Sequence, residues 1–354
     1  TGEDTLSLHD ALPIFVKSRK ARFTVKMSKS IFRIAAISLC ALGVSISAAK
    51  AADFPGDRPI TLVVPFSAGG PTDKVARELA LAMGKQLKGQ VIVDNSPGAG
   101  GTIAAKRVIN SKNDGYTLLI HHIGMSTAPA LYKNLGFDPM NDYEYVGQVA
   151  DVPMILVGNK DLPPKNYQEL LPYMKANVSK IAYANAGVGS ASHLCGLLFM
   201  SRIQLDLTTV PYKGTAPALT DLIGGQVQLM CDQTTNLSGQ LATNAVKPYG
   251  TTTMQRIKAF DKIPTLNEQG LKNFEVKVWH GVYAPKGTPK AEMDKLAKAL
   301  QGAIQDPLYK QHMAELGVEI PSQANASPEG LKKHLKAQID LWTPIIKSAG
   351  IYAD

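Results

Sequence analysis

Ser190 and His193 lie three residues apart in "GVGSASHL" (187–194), where a strand gives way to a helix. A hydroxyl and an imidazole within reach of each other are the first requirement of a serine hydrolase. A working triad also takes its histidine from a separate element and needs an acid to orient it. No G-x-S-x-G elbow is present. A helix cap with a packed or ligand-contacting imidazole is the better reading, and an exported hydrolase is the rival. His121 and His122 end another strand. Side chains alternate along a strand, so the two rings leave on opposite faces and cannot share a metal. One is expected inside and one exposed. No metal site and no cofactor are expected.

The remaining chemistry-bearing stretches are turns rich in Gly and Ser: "FSAGGPTD" (66–73), "SPGAGG" (96–101), "AGVGSASH" (186–193) and, more weakly, "IGMSTAP" (123–129). Each precedes a helical pattern and exposes N–H groups at a positive helix end, a ready anion site. Dinucleotide binding does not fit. "GAGGTI" from Gly98 has Ile103 where the third glycine belongs, and "GVGSAS" from Gly187 has Ser192 there. No phosphate-binding P-loop is present. None of the turns carries an arginine, and Asp73 and Asp232 are the acids nearby. N–H and hydroxyl donors of this kind suit weak, reversible capture of a carboxylate.

The elements that position these turns read as an α/β chain. Residues 60–64 are a continuous apolar run rich in β-branched side chains, as in buried parallel strands. Residues 71–87 place Val75, Leu79, Met83 and Leu87 on one helical face. "VIVDN" (91–95) and "GYTLLIHHIG" (115–124) are further strands, with a helix between them. From about Asp151 the same strand–turn–helix grammar starts again and continues to "VKPYGTTT" (246–253). "EVKVWHGVYAPKGTP" (275–289) is a long strand, and 289–305, 307–317 and 327–349 are helical. Strands alternating with helices imply parallel sheets. A chain that leaves one lobe and returns needs two crossings, placed near 148–153 and 274–281. The expected lobes are 52–151 with 278–354, and 152–277, with the C-terminal helices on the first.

The N-terminus carries a processing signal. "MSKSIFR" from Met27 is basic, and "IAAISLCALGVSISA" is apolar but too short to span a bilayer. Ala49 and Ala51 form an A-x-A site, so a signal peptide over 27–51 is expected, cut near Ala51. Residues 1–26 then read as a non-native upstream extension. The formal charge of +9 falls to +4 once residues 1–51 are set aside. That value, with no basic cluster, argues against nucleic acid. Hydrophobic content of 45% and charged content of 19% are ordinary for a globular chain. In an oxidising compartment Cys195 and Cys231 would form one disulfide, the alternative being two buried thiols.

These blocks carry a family likeness. "PITLVVPFSAGGPTD", "VIVDNSPGAGGTIAA", "YANAGVGSASHL", "VPYKGTAPALTDLIGGQVQLMCD", "IPTLNEQG" and "VWHGVYAPKGTP" together resemble the solute-binding receptors of tripartite tricarboxylate transporters, the Bug family. The resemblance covers essentially all of 53–354. It implies a type II periplasmic binding protein-like α/β fold with two Rossmann-like lobes on a two-strand hinge. It implies no catalysis, a periplasmic monomer, a small carboxylate ligand and delivery to a two-component membrane permease. A receptor presenting its ligand to a membrane histidine kinase is the alternative. Carried over, Phe66, Ser67, Ala68, Gly69, Gly70 and Thr72 form one jaw, and Gly187, Gly189, Ser190 and Ser192 the other. His193 binds or packs. Asp73 would orient water or accept from an amino or amide group. His121, Met125, Thr234 and His280 are candidates for the far end of the cleft.

Overall fold

The computed structural model of the chain describes residues 54–348, 350, 352 and 353. The upstream segment 1–26, the signal peptide 27–51 and its cut near Ala51 lie outside the described residues.

The β-branched run forms β1 (Ile60–Val64), whose Ile60, Leu62, Val63 and Val64 are fully buried. It pairs in parallel with β2 (Val91–Asn95) and β3 (Thr117–His122). Between these strands run α1 (Pro71–Leu87) and α2 (Thr102–Ile109). Pro71 suits the first turn of α1, where an N–H would go unbonded in any case. Val75, Ala76, Leu79 and Met83 then bury one face of that helix. The weak turn at 123–129 is itself helical, as α3 (Gly124–Leu131).

The second lobe repeats the pattern. In order come α4 (Tyr167–Ala176), β5 (Ala182–Asn185), α5 (Ala191–Ile203) and β6 (Thr208–Pro211). They are followed by α6 (Thr215–Ile223), β7 (Leu229–Gln233), α7 (Thr234–Ala242) and β8 (Val246–Thr251). β5 lies between β6 and β7 and is parallel to both. An apolar layer of Ile155, Val157, Leu219, Leu222, Met230 and Leu237 sits on one face of this sheet.

Two strands join the lobes. β4 (Tyr143–Asn159) and β9 (Lys277–Pro285) pair antiparallel from Tyr143↔Pro285 to Pro153↔Lys277. Beyond Pro153, β4 leaves β9 and pairs with β7 and β8 instead. The strand order is β2-β1-β3-β9-β4-β7-β5-β6, with β8 also on β4. The sheets are therefore mixed rather than parallel throughout. The crossing strands run back against their neighbours, and β8 joins β4 antiparallel as well. Thr252 sews the return crossing to the outgoing one: its hydroxyl lies 3.1 Å from the Met154 carbonyl and 2.6 Å from that of Val276. The last three helices, α8 (Lys290–Ala303), α9 (Pro307–Glu315) and α10 (Pro328–Ser348), pack on the first lobe: α8 and α9 against α1, and α10 against α3 and β4. No helix among the described residues is long and apolar enough to cross a membrane.

Cys195 of α5 and Cys231 of β7 are joined as a disulfide, 36 residues apart in sequence and both buried. Closing a loop of that length removes about 3–4 kcal/mol of chain entropy from the unfolded state. The double variant Cys195→Ala/Cys231→Ala is expected to lose about that much unfolding free energy in urea titration. A loss below about 1 kcal/mol would show that the bridge is not a major brace.

Candidate functional site

The two lobes meet across a small gap. Its first wall is made by Phe66, Pro71 and Thr72 at the start of α1, with His122 from the end of β3. The facing wall is Ala186, Ser190, Ala191 and Ser192 at the start of α5, Thr215 at the start of α6, and Gln233 just before α7. Four helix N-termini thus converge on one spot. Their first-turn N–H groups and positive dipole ends point to an anion. No lysine or arginine lines the gap.

Several polar atoms around it have no hydrogen-bond partner among the described residues: Ser67 Oγ, Gln233 Oε1 and Thr234 Oγ1. Buried hydroxyls and amides are normally satisfied, so these atoms leave hydrogen-bonding capacity beside the gap. The gap is nearly shut, with a volume of about 10 Å³, roughly enough for one water. The lobes are closed on each other. Lys74 Nζ donates to the Thr235 carbonyl across the gap at 3.0 Å, and Tyr132 Oη to that of Val188 at 3.1 Å. Two glycines permit this approach. A Cβ on Gly214 would sit 2.2 Å from Ser67 Oγ and 3.0 Å from Ser67 N. A Cβ on Gly100, whose φ is +60°, would sit 2.0 Å from the Val188 carbonyl oxygen.

Not every residue of the expected jaws faces the gap. Ala68 and Gly69 are exposed on the outside of the first turn. Asp73 does not line the gap, and its carboxylate is bonded inside the protein. It receives a two-pronged bond from Arg77 (2.8 and 3.0 Å), the Gly69 N–H (2.9 Å) and Asn95 Nδ2 (3.0 Å). Burial pushes its pKa up, but these donors outweigh that and hold it below the usual carboxylate range. Asn95 also donates to the Phe66 carbonyl at 3.0 Å, so the network clamps the turn.

On the other jaw the Gly187 N–H is taken by Asn185 Oδ1 (2.9 Å) and the Gly189 N–H by His193 Nδ1 (3.2 Å). His193 therefore holds its own turn and does not line the gap. Ser190 caps α5 by accepting the His193 N–H at 3.3 Å, and Ser192 accepts from the Ala186 N–H at 2.8 Å. Asp232 is fully buried at the start of α7 and holds that helix end through the Gln233 N–H and Asn236. Desolvation pushes its pKa up to about 6.

His121 and His122 are both buried, against the expectation that one would be exposed. Alternation does send them to opposite sides, but both sides are covered. His122 stacks on Phe66 at 4.8 Å and faces the gap. His121 packs against Gly101 under the 96–101 turn. His280 of β9 lies edge-on to His122 at 5.8 Å, and its Nε2 is 3.2 Å from Thr72 Oγ1. Met125 and Thr234 are fully buried near the gap without lining it. Among the described residues no group of His, Cys, Asp and Glu is arranged to hold a metal.

The gap residues that lie outside the two expected turns are His122, Thr215 and Gln233. "YKGTAP" and "CDQT" did carry a signal, since each ends a strand and opens a helix. What lacked a signal was that these helix starts aim at the same point as the first turn.

Residues 75–351 match the family described as the tripartite tricarboxylate transporter family receptor. The chain belongs to that family. It is 42% identical to an Agrobacterium vitis protein of the TAR-I ttuE-ttuC' intergenic region, over 96% of each chain. Among solved structures it resembles the periplasmic binding protein BugD, with 48% identity and a TM-score of 0.81 over 83% of this chain and 98% of that one. It also resembles MatC from Rhodopseudomonas palustris with bound malate, with 36% identity and a TM-score of 0.78 over 82% and 99%. The fold is that of periplasmic binding proteins, and the chain is a solute-binding receptor, not an enzyme.

Burial makes the receptor acid-sensitive. His121 and His280 are pushed down to about 3 and His193 to about 4 by desolvation, and His122 well below its usual value. A histidine lowered on folding contributes stability that is present above about 6.5 and is lost as pH falls. Asp151 and Asp232, both raised to about 6 by desolvation, act oppositely. Their contribution is present below the ordinary carboxyl value and is lost as pH rises through 6. Near pH 5 the four imidazoles outweigh the two carboxyls by about two protons. Stability in urea should therefore fall by roughly 2–3 kcal/mol per pH unit between pH 6 and 5. A flat or rising profile would contradict this balance.

Proposed function

We propose that this chain is a periplasmic receptor that captures a small carboxylate between its two lobes and delivers it to a two-component membrane permease. The lobes are 52–151 with 278–354, and 152–277. The chain works as a monomer exported by its signal peptide. The observation that carries this reading is the meeting of four helix N-termini at a gap lined by no cationic side chain. In a partly buried setting each helix end is worth up to about 2 kcal/mol to an anion. Four of them stabilise a carboxylate by several kcal/mol without an arginine. That strength holds a solute and still lets it leave.

The relative with bound malate supports the ligand class. Phe66, Thr72, Ser190 and Ser192 contribute to the grip, while Gly69, Asp73, Gly187, Gly189, His193 and Asp232 shape the turns that make it. Ligand contacts both walls only when the lobes are closed, so binding favours closure by its differential affinity for that form. The two strands at Pro153 and Lys277 are where the lobes would swing. Closure is what the permease would read.

A thermal-shift screen against small carboxylates tests this. A true ligand at about 100 times its Kd adds about 2.7 kcal/mol, a rise of roughly 4 °C in Tm. No shift with any di-, tri- or aromatic carboxylate would sink the reading. Gly214→Ala should weaken that ligand at least tenfold in calorimetry, because the added Cβ meets Ser67 as the lobes close. Unchanged affinity in the variant would mean that this closed contact is not part of the bound state.

A further inference from the structure

The wall made by α1, β3 and β9 has a fixed hydrogen-bond polarity, set by two histidines whose tautomers the backbone dictates. His280 Nδ1 lies 3.2 Å from the Val278 carbonyl oxygen. A carbonyl only accepts, so Nδ1 carries the ring proton and donates it. Nε2 of the neutral ring is then a lone pair, and the partner 3.2 Å away is Thr72 Oγ1. Thr72 must donate its one hydroxyl proton inward to His280. What it shows the gap, which it lines, is oxygen lone pairs. His122 is locked the other way. Its Nδ1 accepts the Gly124 N–H at 3.0 Å. The neutral ring therefore bears its proton on Nε2, which has no protein partner among the described residues. The stack on Phe66 fixes the ring plane.

The wall thus offers one acceptor, Thr72 Oγ1, and one donor, the His122 Nε2–H. A bare carboxylate has acceptors only. It is welcome to His122 and to the helix N–H groups, but it leaves the Thr72 lone pairs facing like charge. An O–H or N–H on the carbon beside the carboxylate would satisfy Thr72 while the carboxylate takes the donors. We propose that the Thr72–His280 pair makes this receptor selective for carboxylates with a hydrogen-bond donor on the adjacent carbon, that is, 2-hydroxy or 2-amino acids. This rests on the carboxylate reading above and narrows it. Protonating His280 would reverse the polarity of Thr72, and burial keeps that ring neutral until about pH 3. A site built to bond a hydroxyl rejects the analogue lacking it far more strongly than an apolar pocket rejects a missing methylene.

Calorimetry on matched pairs at pH 7.5 decides it: malate against succinate, lactate against propionate, and mandelate against phenylacetate. Within the pair that binds, the donor-bearing acid is expected to be at least tenfold tighter. Thr72→Val, nearly isosteric, should collapse that ratio to under threefold, and Thr72→Ser should retain it. Equal affinities within a pair, or a tightest ligand with no donor beside its carboxylate, would overturn the proposal and leave the carboxylate reading intact. So would a ratio that survives in Thr72→Val. Absence of binding by every carboxylate, these pairs included, would remove both readings together.

Discussion

The antiparallel pairing of β4 with β9 fixes where everything else in the molecule can be. It runs from Tyr143↔Pro285 to Pro153↔Lys277 with two bulges on β4, between Tyr145 and Gly147 and between Gln148 and Ala150. Past Pro153, β4 changes partners and becomes a central strand of the second lobe. The two sheets therefore share one continuous strand and cannot drift apart. Their freedom is confined to bending where the crossings lie side by side, with Thr252 bonded to both. A two-lobed receptor needs this combination. Jaws that swing on two neighbouring crossings close along one path, and the helix ends they carry meet at one place.

That meeting place manages charge without exposed ions. Asp73 and Arg77 neutralise each other beside the first turn, and neither lines the gap. Three buried imidazoles near it are held neutral by desolvation. What remains, besides the Lys74 ammonium bonded to the Thr235 carbonyl across the gap, is the partial charge of four helix ends. Fixed dipoles of this kind need no reorganisation when an anion arrives. The neutral rings add direction: a tautomer fixed by a backbone partner turns a ring or a hydroxyl into a donor or an acceptor of known sign.

Much of the fold was legible because its signals are local. The run at 60–64, Pro71 at a helix start and the apolar face of 71–87 each depend on neighbours within one or two turns. The matched turns at 66–73 and 186–193 were readable for the same reason, and both stand at the gap. Asp73 shows a signal that was present but given a different meaning. Arg77 lies four residues on, the spacing of a helical ion pair, and the structure spends the carboxylate there. His122 shows one that was absent. Alternation tells that two adjacent rings part, but not which of the two sides faces a cleft and which lies under a turn. Thr215 and Gln233 lie more than 140 residues from Phe66, and no local pattern records that they converge on it.

Rigidity of the jaws follows from two different braces. In the first lobe the Asp73, Arg77 and Asn95 network ties the turn at 66–73 to β2 and to its own helix. In the second the brace is covalent. Cys195 sits one turn into α5, beyond Ser190 and Ser192. Cys231 sits two residues before Gln233. The disulfide therefore joins the elements that present two of the four helix ends. With the turns held on both sides, little of the free energy of binding is consumed in ordering loops. It is available instead to shift the balance between parted and closed lobes, and a ligand can move that balance only by as much as it prefers one form. Stiff jaws on a soft hinge turn a modest affinity for a small anion into a change of shape that another protein can read.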